Sequence, residues 1–266
     1  MPKITPRQTK WYGWQPDIPD KRDLCFAAPP SLLAVLPPIQ INSQFMPEVW
    51  NQGATGSCTG QSTRGSCKFD LQRQQAKEIF TPSALFIYYN GRQFEGMTDQ
   101  DSGAQIRDVI KGIAKYGFCH EESWPYDESK VTVKPPQKCY REGAEHLALK
   151  YARVPQTLNQ LKSVIASGYT FVFGFTVYDS FESPEVTKTG ILPMPGASDG
   201  MVGGHAVFAF GYDDNYVFPD GRKGAFYIRN SWGEDWGQFG NFMMPYDYIL
   251  DPDLAADFWN IQFVSA

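Results

Sequence analysis

The segment QGATGSCTG (residues 52–60) sets a single cysteine, Cys58, among glycines at the entrance to a stretch with helical character. The partial positive charge at the start of a helix favours the thiolate over the thiol. Backbone N–H groups there have no partner inside the helix, so they can bind an oxyanion. A phosphate-binding loop would end in G-K-[ST], which this segment lacks. The segment therefore predicts either a reactive thiol or a cysteine buried as a small apolar side chain.

Two further segments supply the partners that a nucleophilic cysteine needs. His205 stands in VGGHA (residues 202–206) at the head of a predicted strand, where it can act as the base that shares the thiol proton. Asn230 opens NSWGEDWGQFG (residues 230–240) after another predicted strand, and its amide offers the acceptor that holds an imidazole in one tautomer. Trp232 can shield that hydrogen bond from water. An alternative is that this segment is an aromatic and glycine-rich turn that only packs.

The wider pattern predicts helices in the first half of the chain and strands in the second. Helical signals lie at residues 58–79, 81–90, 102–117 and 157–168, and strand signals lie at residues 170–178, 205–212 and 224–229. Ser102 with Gln105, and Thr157 with Gln160, have the spacing of capping boxes. This segregation indicates an α+β architecture with two lobes, divided near residues 135–136.

Residues 1–35 differ from the rest of the chain. The run WYGW (residues 11–14) is followed by several prolines, which predicts an extended arm and not a helix. Such an arm is either a surface strap that adds stability or a segment lying over a cleft. The second interpretation would fit zymogen control.

Composition excludes several classes of protein. The chain has 266 residues with a net charge of −5 and no basic stripe, so we expect no nucleic-acid partner. No apolar run reaches the ~18 residues that a membrane helix needs. We also see no secretory signal, so the expected location is the cytoplasm by default, or export by another route.

The cysteines and histidines do not suggest a metal site. The chain has no C-x-x-C and three histidines, and we interpret His120 and His146 as structural or surface residues. Without an intermolecular bridge at least one thiol must be free, because the number of cysteines is odd, and free thiols are the default for the others. The five are Cys25, Cys58, Cys67, Cys119 and Cys139.

Taken together, the three segments around Cys58, His205 and Asn230 resemble the signature blocks of papain-like (C1 family) cysteine peptidases, and most closely their bacterial branch. The resemblance runs from about residue 36 to the C-terminus. It implies a two-lobed fold, with a mostly helical lobe at about 48–136, a mostly β, barrel-like lobe at about 137–266 and the active-site cleft between them.

The resemblance also implies roles for individual residues. Cys58 would be the nucleophile, His205 the general base and later the acid, and Asn230 the residue that orients the imidazole. Gln52 would donate its side-chain amide to the oxyanion. The candidate substrate-binding residues are Gly56, Gly103, Gly204 and Trp232.

The sequence departs from the family at two places. The usual cysteine three residues before the nucleophile is Thr55, and the usual Trp-Ala-Phe after it is Thr-Gly-Gln at residues 59–61. The family's disulfides therefore cannot be transferred to this chain.

The resulting prediction is a monomeric cysteine peptidase that cleaves protein or peptide substrates through a thioester acyl-enzyme. It would need no metal or cofactor and would bind neither nucleic acid nor membrane. Two alternatives remain: a silent peptide-binding pseudoenzyme whose arm fills the cleft, and an acyl transferase or transpeptidase that passes the acyl group to an amine.

Overall fold

The predicted α+β class is confirmed by the computed structural model, which describes residues 12–18, 20–147 and 150–262. Residues 1–11 and 19 of the predicted arm lie outside this described part. The helices are α1 Pro30–Leu33, α2 Cys58–Arg73, α3 Ala84–Glu95, α4 Ile106–Tyr116, α5 Gln137–Gly143, α6 Leu158–Ala166, α7 Pro184–Thr189 and α8 Tyr246–Leu250. The strands are β1 Trp14–Gln15, β2 Ile39–Ile41, β3 Ala104–Gln105, β4 Lys150–Arg153, β5 Phe171–Tyr178, β6 Met201–Val217, β7 Lys223–Arg229, β8 Asn241–Pro245 and β9 Ala255–Gln262.

The larger sheet is antiparallel and has seven strands. Its order is β4-β9-β5-β6-β7-β8, with β2 paired to β6 beside this path. In the described residues the order has two ends, so the sheet is not a closed barrel. A separate parallel pair joins β1 of the arm to β3, with Trp14 opposite Ala104.

Both faces of the central strands are buried. On β5, Phe171 and Phe173 belong to one hydrophobic core, while Val172 between them belongs to the other. The first core lies under α6 and α8, and the second packs against α2, α3 and α4. Apolar residues consequently follow one another without the alternation of a half-exposed strand.

Two glycines allow α2 to pack closely inside the molecule. A Cβ at Gly60 would lie 2.8 Å from the carbonyl oxygen of Ala84, and a Cβ at Gly65 would overlap the ring of Phe208 on β6. The intrinsic cost of glycine in a helix is about 1 kcal/mol. At these two positions the absence of a side chain allows α2 to contact α3 and β6 closely. This close contact holds Cys58 between the helices and the sheet.

The two predicted capping boxes are wrong in detail. Helix α4 begins at Ile106, because residues 104–105 are held extended in β3, and the Ser102 hydroxyl donates to the carbonyl oxygen of Gly103 instead (3.0 Å). Thr157 does precede α6, but without a side-chain capping bond. The Gln160 side chain accepts a hydrogen bond from the Ala28 N–H (3.1 Å).

Candidate active site

Cys58 is the first residue of α2 and is fully buried (0% exposed). The loop before it is held by the hydroxyl of Tyr126, which lies 2.7 Å from the hydroxyls of both Thr55 and Ser57. The same hydroxyl lies 2.8 Å from the carbonyl oxygen of Gln52. Thr55, which stands at the position of the family's usual cysteine, takes part in this network. Tyr126 was not predicted, since a tyrosine far along the chain carries no local signal of this contact.

His205 lies on β6 and is bound to Asn230, at the end of β7. The distance between His205 Nε2 and Asn230 Oδ1 is 2.8 Å, and both residues are buried. Asn230 Oδ1 also accepts a hydrogen bond from the Ser231 N–H (2.8 Å). An atom that accepts from a backbone N–H must be the amide oxygen, so His205 Nε2 carries the proton.

Two tryptophans cover this hydrogen bond. The Trp232 ring stacks on the His205 imidazole with centroids 5.0 Å apart, and Trp236 meets Trp232 edge-on at 5.2 Å. Both tryptophans are buried. Exclusion of water strengthens a hydrogen bond electrostatically, so the imidazole orientation is well fixed.

Gln52 connects the loop before Cys58 to the loop after β7. Its backbone N–H donates to the carbonyl oxygen of Ser231 (2.9 Å), and its Oε1 accepts from the Ser231 hydroxyl (2.5 Å). Its Nε2 donates one hydrogen bond to Thr55 (2.8 Å), and an amide nitrogen has a second N–H. Ser231 therefore links Gln52 to Asn230, a role that sequence reasoning missed.

The four predicted substrate-binding residues all line a cleft that the arm occupies. Tyr12 lies with its ring 5.9 Å from the His205 ring and 6.2 Å from the Trp232 ring. A Cβ at Gly13 would overlap the carbonyl oxygen of Gly56, and a Cβ at Gly103 would overlap that of Gly13. The backbone of the arm thus touches the floor of the cleft at positions that have no side chain.

The arm is hydrogen-bonded to the cleft as a strand. The Ala104 N–H donates to the carbonyl oxygen of Gly13 (2.8 Å), and the Gln15 side chain donates to that of Ser102 (2.7 Å). On the opposite wall, a Cβ at Gly204 would lie 2.7 Å from the Trp14 ring. The Gly103 N–H points away from the arm and donates to the hydroxyl oxygen of Tyr88 (2.9 Å).

A partly buried ionic cluster anchors the arm just beyond the cleft. Arg153 contacts Asp17 at 2.6 Å, Asp23 at 3.0 Å and Asp257 at 3.2 Å. Asp257 accepts from the backbone N–H of Asp17 (2.7 Å) and the indole N–H of Trp14 (3.1 Å). Burial, and then the neighbouring Asp257 carboxylate, raise the pKa of Asp17. No signal in the sequence pointed to Asp257, which lies far from the arm in the chain.

In the part of the chain that the structure describes, no helix is both long and apolar enough to cross a membrane. All five cysteines are free thiols, with Cys25 exposed and the others buried. Burial raises the pKa of the thiols of Cys67, Cys119 and Cys139.

Comparison with known proteins gives a consistent result. A family model described as "Papain family cysteine protease" matches residues 40–249. The chain is 44% identical over 223 residues to an uncharacterized peptidase C1-like protein of Acanthamoeba polyphaga mimivirus, covering 81% of this chain and 70% of that protein. It is 28% identical over 210 residues to cathepsin B-like CP2 of Giardia intestinalis, covering 75% of this chain and 64% of that protein.

Solved structures agree with these sequence relatives. Xylellain, a cysteine protease from Xylella fastidiosa, superposes with a TM-score of 0.88 at 38% sequence identity, over 98% of this chain and 99% of that one. Procathepsin B S9 from Trypanosoma congolense, at 14% identity and a TM-score of 0.74, shares the fold.

Proposed function

Because the chain belongs to the papain family of cysteine proteases, we propose that it hydrolyses peptide bonds with Cys58, His205 and Asn230, and that its N-terminal arm inhibits it. The observation that carries the catalytic part is the buried 2.8 Å hydrogen bond from His205 Nε2 to Asn230 Oδ1. It commits one ring nitrogen to the asparagine and leaves proton exchange with Cys58 to Nδ1.

The reaction follows from these positions. The Cys58 thiolate, favoured at the start of α2 and by the imidazolium of His205, attacks the peptide carbonyl carbon and forms a C–S bond. The carbonyl oxygen becomes an oxyanion bound by the Cys58 N–H and the second N–H of Gln52 Nε2, each donor being worth about 3–4 kcal/mol. His205 gives its proton to the leaving amine as the C–N bond breaks. His205 then deprotonates a water molecule, which cleaves the thioester and restores the Cys58–His205 pair.

The same cleft supports the assignment of the substrate-binding residues. Gly56, Gly103 and Gly204 have no Cβ, so an extended peptide can approach the cleft walls at backbone distance. The arm already lies in this way, with a main-chain hydrogen bond from Ala104. We assign Trp232 to the leaving-group side, next to His205.

Inhibition by the arm is favoured over a purely structural strap by where the arm lies. Tyr12 lies against His205, and Gly13 against Gly56, two residues before the nucleophile. Cys58 and His205 are 0% and 1% exposed with the arm in place. A substrate cannot reach the thiol until residues 12–15 leave the cleft.

Site-resolved alkylation tests the catalytic assignment. The Cys25→Ser protein removes the exposed thiol, and a thiol-directed epoxide is then applied at neutral pH and mapped by mass spectrometry. We expect a single adduct on Cys58, formed slowly while the arm is out of the cleft and lost in His205→Ala, since the other three cysteines are buried thiols with raised pKa. An equal spread over several cysteines would contradict the proposal.

Turnover separates the remaining activities. Once the arm is displaced, a fluorogenic dipeptide assay should show hydrolysis that Cys58→Ala abolishes, whereas a pseudoenzyme would show none. Measuring the product mass after addition of an amine nucleophile distinguishes hydrolysis from acyl transfer.

A further inference from the structure

Two histidines outside the active site converge with a glutamate on the surface of the helical lobe. In the described part of the chain, Glu78, His120 and His146 form the one group of such side chains with metal-ligand spacing, their donor atoms all lying within 4.8 Å of one another. Glu78 Oε1 lies 3.6 Å from His120 Nε2. Two ligands on a tetrahedral Zn²⁺, each about 2.0–2.1 Å from the ion, are separated by about 3.4 Å. The observed pair is therefore close to the spacing that a zinc ion requires.

We propose that Glu78, His120 and His146 form a binding site for a zinc-class divalent cation, separate from the active site. Two imidazoles and a carboxylate suit a borderline ion such as Zn²⁺ and leave a fourth position for water. The sequence pattern did not reveal the site, because the three ligands come from separate segments of the chain.

The surroundings of His120 match those of a metal ligand. Its Nδ1 faces the Glu142 carboxylate at 3.7 Å, while its Nε2 faces Glu78. Metal-bound histidines generally have a carboxylate or carbonyl at the other ring nitrogen, which fixes the tautomer that presents the ligating atom. Glu142 is itself held by the backbone N–H of His120 and the hydroxyl of Ser123, both at 2.6 Å.

The second imidazole lies beside the first, with the His120 and His146 ring centroids 5.6 Å apart. Phe80 packs against both rings, with centroids 3.9 Å from His120 and 4.6 Å from His146. This aromatic contact holds the two imidazoles on one side of the site.

The location indicates a structural role for the ion. Glu78 follows the C-terminal end of α2, whereas Cys58 begins that helix. His120 precedes Glu121, which is paired with Arg64 of α2, and His146 follows α5. A bound ion would thus join three segments of the helical lobe.

The test uses the full chain with Cys25→Ser and Cys58→Ser, so that neither the exposed nor the catalytic thiol binds the probe. Zn²⁺ binding is measured by competition with a chromogenic chelator, and melting temperature is recorded with Zn²⁺ and with EDTA. We expect one ion per chain and a higher melting temperature with Zn²⁺. His120→Gln and His146→Gln should each weaken binding by about 10- to 100-fold or more, and Glu142→Gln by about tenfold. The exposed neighbour Glu122→Gln is the matched control and should bind like the parent.

Two readouts keep the result independent of misfolding and of the remaining thiols. In EDTA the variants should melt near the parent temperature, which shows that loss of binding is not loss of fold. Co²⁺ bound at this site should lack the strong near-ultraviolet absorption of a cobalt–thiolate bond. Unchanged Zn²⁺ affinity in both histidine variants, or a thiolate spectrum with Co²⁺, would overturn the proposal.

Discussion

A methyl group at Gly13 is the most direct perturbation of the arm. In Gly13→Ala the new Cβ would overlap the carbonyl oxygen of Gly56, so the backbone at this contact must shift. The substitution alters no atom of the catalytic residues. We expect residues 12–15 to leave the cleft, while the ionic cluster around Arg153 keeps the following part of the arm attached.

The size of the effect follows from three contributions. Inserting a methyl into a closely packed contact costs about 1–3 kcal/mol. Loss of the 2.8 Å hydrogen bond from Ala104 to Gly13 adds about 1 kcal/mol. The smaller backbone freedom of alanine in the undocked chain opposes undocking by about 0.4–1 kcal/mol, so the undocked state gains about 2 kcal/mol. Because 1.4 kcal/mol is a factor of ten, the accessible fraction of Cys58 should rise about 30-fold.

Epoxide alkylation of Cys58 measures that fraction, since the reagent reacts when the cleft is open. Gly196→Ala is the matched control, because a Cβ there meets its nearest atoms at ordinary distances of 3.6–4.0 Å. Ile18→Ala is a second control within the arm, where the side chain is 74% exposed. A Gly13→Ala protein that melts earlier yet labels at the parent rate would refute inhibition and leave a structural strap.

Three further predictions concern other parts of the molecule. Gln52→Ala should lower kcat by about 10²–10³-fold. The alkylation rate of Cys58 should stay unchanged, because that reaction forms no oxyanion. A parallel loss of kcat and of the alkylation rate would indicate distortion of the loop. Arg153→Ala leaves the buried Asp17 carboxylate without its ionic partner and should lower the free energy of unfolding by about 3 kcal/mol in denaturant titration, whereas Arg22→Ala, at an exposed pair, should leave it nearly unchanged. His146 has a folded-state pKa below its ordinary value of 6.5, so the stability it contributes is present above that value and is lost as the pH falls through the folded pKa. In EDTA, His146→Gln should therefore show a shallower fall in melting temperature on mild acidification than the parent, and equal slopes would count against this assignment.

Much of the fold could be read from local patterns. The continuous apolar run at residues 170–178 predicted β5, and the 3.6-residue spacing after Gln105 predicted α4, because such patterns depend on neighbours in the chain. Strands β2, β8 and β9 were not predicted. Strand β9 lies between β4 and β5, and its pairing depends on partners 80 or more residues away in the chain, which no short window contains.

Local sequence was enough to predict the candidate chemistry, because Cys58, His205 and Asn230 each stand in a short glycine- or tryptophan-rich segment whose residue types have a direct chemical reason. How these segments are joined and covered could be learned from the folded structure alone. The bridge through Ser231, the contact of Gly13 with Gly56 and the meeting of His120 with His146 connect residues that are distant in the chain. Such contacts depend on how the chain folds back on itself, and the side chains that make them carry no mark of their partners in the local sequence.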